Sequence, residues 1–168
     1  MHRDDEETGT VGEALGAYLA RNGFRIEDYE APRVCIPFGP FTIHLPNTSG
    51  RKRIVRLHDL HHVATGYGTD WVGEGEVGAW ELRAGCTNLA GWVYNGLAVL
   101  GALFRGPRRV WRAFRAARGA QTLYRLEVPY EEVLEWRLER LRTELGVPEG
   151  GLARGPQALH AHAPHPST

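Results

Sequence analysis

Residues 86–104 run for 19 positions without a single charge, in a chain where 24% of residues are charged. Thirteen of them are apolar and three are glycines. A stretch of that kind has three destinations: a buried central helix, the wall of a groove for a prenyl chain, or a membrane span of about 20 residues. Asn88, Asn95 and the glycines weigh against a span, and one anchor in mid-chain would split so small a domain. Gly91, Asn95, Ala98 and Ala102 fall at helical spacing and form a ridge of small residues, which another helix or an isoprenoid tail can approach closely. A buried central helix is the first expectation and a prenyl groove the second.

The rest of the chain must supply a core around that stretch, and 168 residues with 42% hydrophobic content are sufficient for one domain. Wholesale disorder is excluded. The 20 Lys and Arg balance the 20 Asp and Glu, so no global field points to nucleic acid. The balance is only global: residues 1–31 hold eight acids and three arginines, whereas residues 105–125 hold seven arginines and no acid. Cys35 and Cys86 cannot build a disulfide scaffold or a four-thiolate zinc site. The opening Met-His-Arg-Asp-Asp-Glu-Glu continues into neither an apolar core nor an arginine-rich amphipathic stretch. A cytoplasmic protein is expected, at most peripheral to the inner face of the plasma membrane.

Punctuation divides the chain into a disordered acidic lead (1–9), a helical metal-binding domain (10–148) and a disordered His- and Pro-rich tail (149–168). The predicted fold class is mainly α, a single-domain helical bundle with one short β-hairpin or extended arm. Helices are expected over 10–22 with Gly23 as stop, 51–65 with Gly66 as stop, 71–84 and 107–118. A last helix starts at Pro129, with Leu134, Leu138, Leu141 and Leu145 on one face, and ends before Gly146. Val34, Ile36, Phe41, Ile43 and Leu45 alternate around Pro37-Phe38-Gly39-Pro40, which reads as a hairpin or arm. His160, His162 and His165 lie in the tail, where a flexible chain offers a metal no fixed geometry.

The chemistry concentrates in Leu57-His58-Asp59-Leu60-His61-His62, continuing to Gly73-Glu74-Gly75-Glu76. On a helix His58 and His62 sit about 40° apart, one turn above the other, with Asp59 beside them. Two imidazoles at this spacing form a half-site for a divalent transition metal that a carboxylate completes. Glu74 can arrive from a facing helix as a fourth ligand. The set suits zinc, iron, manganese or cobalt. The competing reading is a buried hydrogen-bonded His-Asp pair, with His61 facing solvent. Glu76 and Glu81 are further candidates, to support the ligands or move a proton, because a core helix has little use for carboxylates.

His-Asp-x-x-His, eleven residues and Glu resembles the signature of the Coq-four family of coenzyme Q (ubiquinone) biosynthesis proteins. Here it runs from His58 through His62, across Val63–Gly73, to Glu74. Arg56-Leu57 before it, Thr65-Gly66-Tyr67 after it and Ala79-Trp80-Glu81 beyond also look like bacterial members. The resemblance covers about residues 50–90. It implies a helical protein that binds zinc through His58, Asp59, His62 and Glu74. It further implies partners among other quinone-biosynthesis proteins at the membrane, and replacement of the ring carboxylate of a polyprenylated benzoate precursor by a hydroxyl.

Arg105, Arg108, Arg109, Arg112, Arg115 and Arg118 interleave with Val110, Trp111 and Phe114. Such a helix suits a solvated face, an anionic membrane surface or phosphate groups. No nucleic-acid motif accompanies it, so no nucleic-acid partner is expected; a prenyl lipid, a peripheral membrane surface and a second copy of the chain are admissible partners. Two rival functions remain. A metal phosphohydrolase of the His-Asp kind would recruit His44 and Asp70 as further ligands. A non-catalytic prenyl-lipid scaffold would use the metal only structurally.

Overall fold

The computed structural model describes residues 9–31, 33–38, 41–87 and 89–154, without the side chains of residues 28, 33–38, 41–46 and 90. In chain order these residues form α1 (Val11–Arg21), a 3-10 helix (Ile26–Glu30), β1 (Arg33–Phe38), β2 (Phe41–Pro46), α2 (Ser49–Thr65), α3 (Trp71–Gly85), α4 (Leu89–Leu103), α5 (Pro107–Ala116), α6 (Tyr130–Glu135) and α7 (Leu138–Leu145). The fold is mainly helical, with one antiparallel hairpin whose register runs from Arg33 opposite Pro46 to Phe38 opposite Phe41. The turn expected at Gly39-Pro40, residues 1–8 of the acidic lead and the tail histidines lie outside the described residues.

Local chemistry sets the helix ends. Thr10 opens α1 with a capping box: its Oγ1 accepts from Glu13 N–H at 3.2 Å while its own N–H donates to Glu13 Oε2 at 2.8 Å. Thr48 accepts from Arg51 N–H at 3.3 Å ahead of α2, and Pro107 sits in the first turn of α5. Gly66 and Gly146, with φ of 76° and 70°, close α2 and α7 in the left-handed conformation. One large cluster, centred on Leu15, Leu60, Val77, Trp80, Leu141 and Leu145, forms the core. A smaller one joins Ala79, Ala102 and Val110.

The central helix is α3 rather than the uncharged stretch. Nine of its fifteen residues are buried, and it packs chiefly on α4 and α5. Glycine makes the approach possible: a Cβ at Gly75 would lie 2.1 Å from Ala102 Cβ and 3.1 Å from the Ala98 carbonyl, and one at Gly78 would lie 3.1 Å from the Asn95 carbonyl. The small ridge of α4 is therefore occupied by α3. With small groups, Asn95 and Val99 turned inward, the other large apolar side chains of α4 (Trp92, Val93, Leu97, Leu100 and Leu103) stay exposed. That overturns the expectation of a buried central helix at 86–104. No helix among the described residues is long and apolar enough to cross a membrane.

Two further boundaries differ from expectation. The single helix expected over 129–145 breaks at Trp136 and Arg137, whose ψ angles of 154° and 144° are extended. The break frees the Trp136 carbonyl to accept Val11 N–H at 2.8 Å, a first-turn donor of α1 with no intrahelical acceptor. Leu138 N–H in turn donates to the Gly9 carbonyl at 3.2 Å. At the other end the ordered chain passes residue 148. Leu152 and Ala153 N–H donate to the Thr65 carbonyl at 2.7 and 3.1 Å, which caps α2.

Close packing of α3 on α4 has a direct consequence. Gly75→Ala forces the helices apart and is expected to cost about 1–3 kcal/mol, roughly 2–4 °C of Tm per kcal/mol. Gly96→Ala, with nothing within 4 Å of its new Cβ, is expected to gain about 0.5–1 kcal/mol through helix propensity. Paired thermal melts check both signs.

Candidate metal centre

Residues 66–70 fold α3 back onto the end of α2. Gly73 packs so tightly on Gly68 that a Cβ would lie 2.1 Å from the Gly68 carbonyl oxygen. Asp70 caps α3, accepting from Val72 and Gly73 N–H, both at 2.8 Å. The first turn of α3 thus lies over the last turns of α2, and Glu74 meets His58 and His62.

Those three residues form a group able to hold a metal ion: one ligand atom from each lies within 4.8 Å of the others. His62 Nδ1 lies 3.0 Å from the Tyr67 carbonyl. A carbonyl only accepts, so Nδ1 carries the proton and Nε2 carries the lone pair. His58 Nδ1 donates to Glu81 Oε1 at 2.8 Å, which frees its Nε2 in the same way. The two Nε2 atoms face each other at 3.1 Å. Glu74 Oε2 is 3.3 Å from His58 Nε2, and Glu74 Oε1 is 3.5 Å from His62 Nε2. Backbone carbonyls and carboxylates that hold the distal nitrogen are the usual means of aiming metal-binding imidazoles.

The electrostatics follow from this crowding. Burial alone would depress His58, but the charge of Glu81 and hydrogen bonds to Glu74 and Glu81 carry its pKa well above the ordinary imidazole range. Burial opposes ionisation of Glu74, yet His62 and His58 hold it well below the ordinary carboxylate range. Two lone pairs and a carboxylate in such proximity need a cation between them, whether a proton or a metal.

Behind this group stands Glu81, fully buried. Its Oε1 also accepts His61 Nδ1–H at 2.6 Å, its Oε2 accepts Asn95 Nδ2–H at 2.6 Å, and the Tyr124 hydroxyl reaches both oxygens at 3.2 and 3.3 Å. Burial would raise its pKa, but His58 and His61 hold it well below the ordinary value. The expectation that His61 faces solvent is overturned: it is fully buried. Its Nε2 accepts Leu123 N–H at 2.9 Å, so it is neutral with the proton on Nδ1, and burial lowers its pKa.

The remaining candidates go elsewhere. Asp59 lies beside the group but outside it; its carboxylate accepts from the Tyr29 hydroxyl and, at 3.4 Å, from Tyr18. Glu76 points away, held by Arg109 through Nε at 3.1 Å and a second nitrogen at 2.6 Å. Asp70 is committed to its cap and is no ligand, while the His44 side chain lies outside the described residues. Tyr18, Tyr29 and Tyr124 were not picked out from the sequence, and Asn95 was read only as part of a small-residue ridge, because nothing in their local spacing marks them as carboxylate donors.

Glu81→Gln leaves four donors facing a neutral amide in the core, and is expected to cost about 3–5 kcal/mol. The folded pKa of Glu81 is depressed, so its contribution is complete above the unfolded value of 4.5 and is lost as pH falls below that. Chemical denaturation from pH 7 downward should therefore show a parent whose stability falls more steeply below about pH 4.5 than that of the variant.

Comparison with protein-family models, with curated proteins and with solved structures finds no match, so the functional reading rests on this geometry and on the residue pattern that builds it.

Proposed function

We propose that the chain is a divalent-metal-dependent protein that processes a polyprenylated benzoate precursor of ubiquinone, as its resemblance to the Coq-four family implies. The observation that carries the metal part is the convergence of two Nε2 lone pairs on the Glu74 carboxylate, each imidazole aimed through its Nδ1–H. The donor set of two imidazoles and one carboxylate fits zinc, iron, manganese or cobalt.

Exposure favours a reactive site over a purely structural one. The side chains of His58 and Glu74 are 21% and 39% exposed, so a molecule from outside can reach the ligands. A structural zinc site is closed by four protein ligands, whereas a catalytic one keeps a position open. A bound divalent metal there supplies a Lewis acid for carboxylate and phenolate oxygens. The chain's own contribution is to aim His58 and His62, to keep Glu74 ionised, and to hold Asp59 with the Tyr29 hydroxyl proton at the rim. A scaffold with a structural metal remains the competing reading.

The exposed face of α4 supports a lipid partner. Trp92, Leu97 and Leu100 are exposed on it, Phe104 follows it, and the arginines of 105–118, of which Arg109 is paired with Glu76, come next. Apolar side chains flanked by cationic ones suit the surface of an anionic bilayer or a prenyl chain emerging from it.

Elemental mass spectrometry tests the metal. The tail is best neutralised by His160→Ala, His162→Ala and His165→Ala in the full chain, because Leu152 and Ala153 are needed to cap α2. About one divalent metal per chain is expected, falling to a small fraction in folded Glu74→Ala and His58→Ala variants; a parent that stays metal-free after reconstitution sinks the proposal. For the lipid face, cosedimentation with phosphatidylglycerol vesicles should fall roughly tenfold in Trp92→Ser/Leu97→Ser/Leu100→Ser. A dimer that the same variant dissociates would instead assign the face to a second copy.

A further inference from the structure

Glu76 opens onto a cavity of about 240 Å³ lined by Tyr67, Glu76, Arg112, Ala116, Leu152 and Arg154. It lies apart from the His58–His62–Glu74 group and is not used in the reading above. Its charge is unusual. The Glu76 carboxylate is already bonded through both oxygens to Arg109, which leaves Arg112 and Arg154 as two further cations on the wall. Among the described residues neither Arg112 nor Arg154 forms an ion pair or a hydrogen bond. Tyr67 is 94% buried by its 6% exposure, and its hydroxyl has no hydrogen-bond partner among the described residues. The Tyr67 hydroxyl and the two exposed guanidiniums of Arg112 and Arg154 therefore face one cavity as donors that a single acceptor can engage together.

We propose that this cavity binds a small oxyanion, a phosphate or phosphomonoester group, through Arg112, Arg154 and the Tyr67 hydroxyl. Arginine suits the role because its planar fork donates two parallel bonds to tetrahedral oxygens. Size argues for a single charged group. The cavity falls below the range of about 300–1,000 Å³ typical of sites for drug-sized ligands, so a head group enters and any attached chain stays outside. The Glu76–Arg109 pair fits an anion site: it neutralises the one carboxylate on the wall and holds a third guanidinium beside it. The Tyr67 side chain is a phenol, whose hydroxyl can donate to an oxyanion. Tyr67 is also the residue whose carbonyl holds His62, so the cavity adjoins the support of the metal group.

The test is isothermal titration calorimetry of the full, metal-stripped chain with inorganic phosphate and phenyl phosphate. Saturable binding is expected, weakened roughly tenfold or more in Arg112→Gln/Arg154→Gln and about threefold to tenfold in Tyr67→Phe. Glu74→Gln should bind as the parent does, because the metal group takes no part, and Arg108→Gln/Arg115→Gln controls for charge loss on the same helix. A second arm uses phosphatidate vesicles. Capture that Arg112→Gln/Arg154→Gln loses and Arg108→Gln/Arg115→Gln keeps would make a lipid head group the source of the phosphate. No binding in either arm overturns the proposal, as does binding that survives Arg112→Gln/Arg154→Gln or is lost only in Glu74→Gln. None of these outcomes bears on the metal stoichiometry, so the two proposals fail separately.

Discussion

A fully buried carboxylate is the constraint around which the rest of this bundle is arranged. Glu81 sits where a charge is tolerable only if donors surround it. Those four donors arrive from three segments: His58 and His61 from α2, Asn95 from α4, and Tyr124 from the connection after α5. Each segment must be placed to within a few tenths of an ångström for the charge to be satisfied. The network thereby fixes the rotation of α2 against α3 and of α4 against α3. It also explains Asn95, a polar residue buried in an otherwise apolar helix.

Helical phase on α3 then decides which carboxylate does what. Glu74 and Glu81 are seven positions apart, about 20° from eclipsed at 100° per residue. Both face α2, and they take opposite edges of the same imidazole: Glu81 on His58 Nδ1, Glu74 on His58 Nε2. Glu76 is two positions from Glu74, about 200° around, which sends it to Arg109 on the far side. Three acids within eight residues therefore serve two separate surfaces. The glycines of α3 permit this, since Gly75 and Gly78 let α4 approach and Gly73 lets the preceding turn close. A helix of such low propensity is held by its packing rather than by its sequence.

Much of this was legible before the structure, and the reasons are local. Pro129 announces a helix start, Gly66 and Gly146 announce stops, and the four-residue spacing of His58 and His62 places both on one face. Glu76 could have been separated from Glu81 by the same phase argument; grouping the acids by proximity in sequence obscured it. What was illegible depends on contacts between distant segments. The partnership of Tyr124 with Glu81 spans 43 positions. His61 sits beside the candidate ligands His58 and His62 in the sequence, and only the arrival of Leu123 N–H shows why it is buried. The break at Trp136 answers an unsatisfied donor on α1, and no pattern within 129–145 contains that donor. Hydrophobicity alone suggested a buried helix at 86–104. The small size of the residues on its inward side leaves the large ones outside.

The C-terminal segment connects the two surfaces of α3. Thr65 ends the helix that carries all three histidines of the motif, and its carbonyl has no intrahelical partner. Leu152 and Ala153 supply the missing N–H groups. The same few residues bring Leu152 and Arg154 to the wall of the cavity beside Tyr67. Capping α2 and building the cavity are therefore one event, and residues 149–154 belong to the folded domain for both reasons. Tyr67 occupies the junction, with its carbonyl turned to His62 and its ring to the cavity. Gly66 and the Gly68–Gly73 contact hold its backbone in place. A backbone so constrained favours fixed positioning over a hinge: Tyr67 keeps His62 aimed from one side while its side chain lines the cavity on the other.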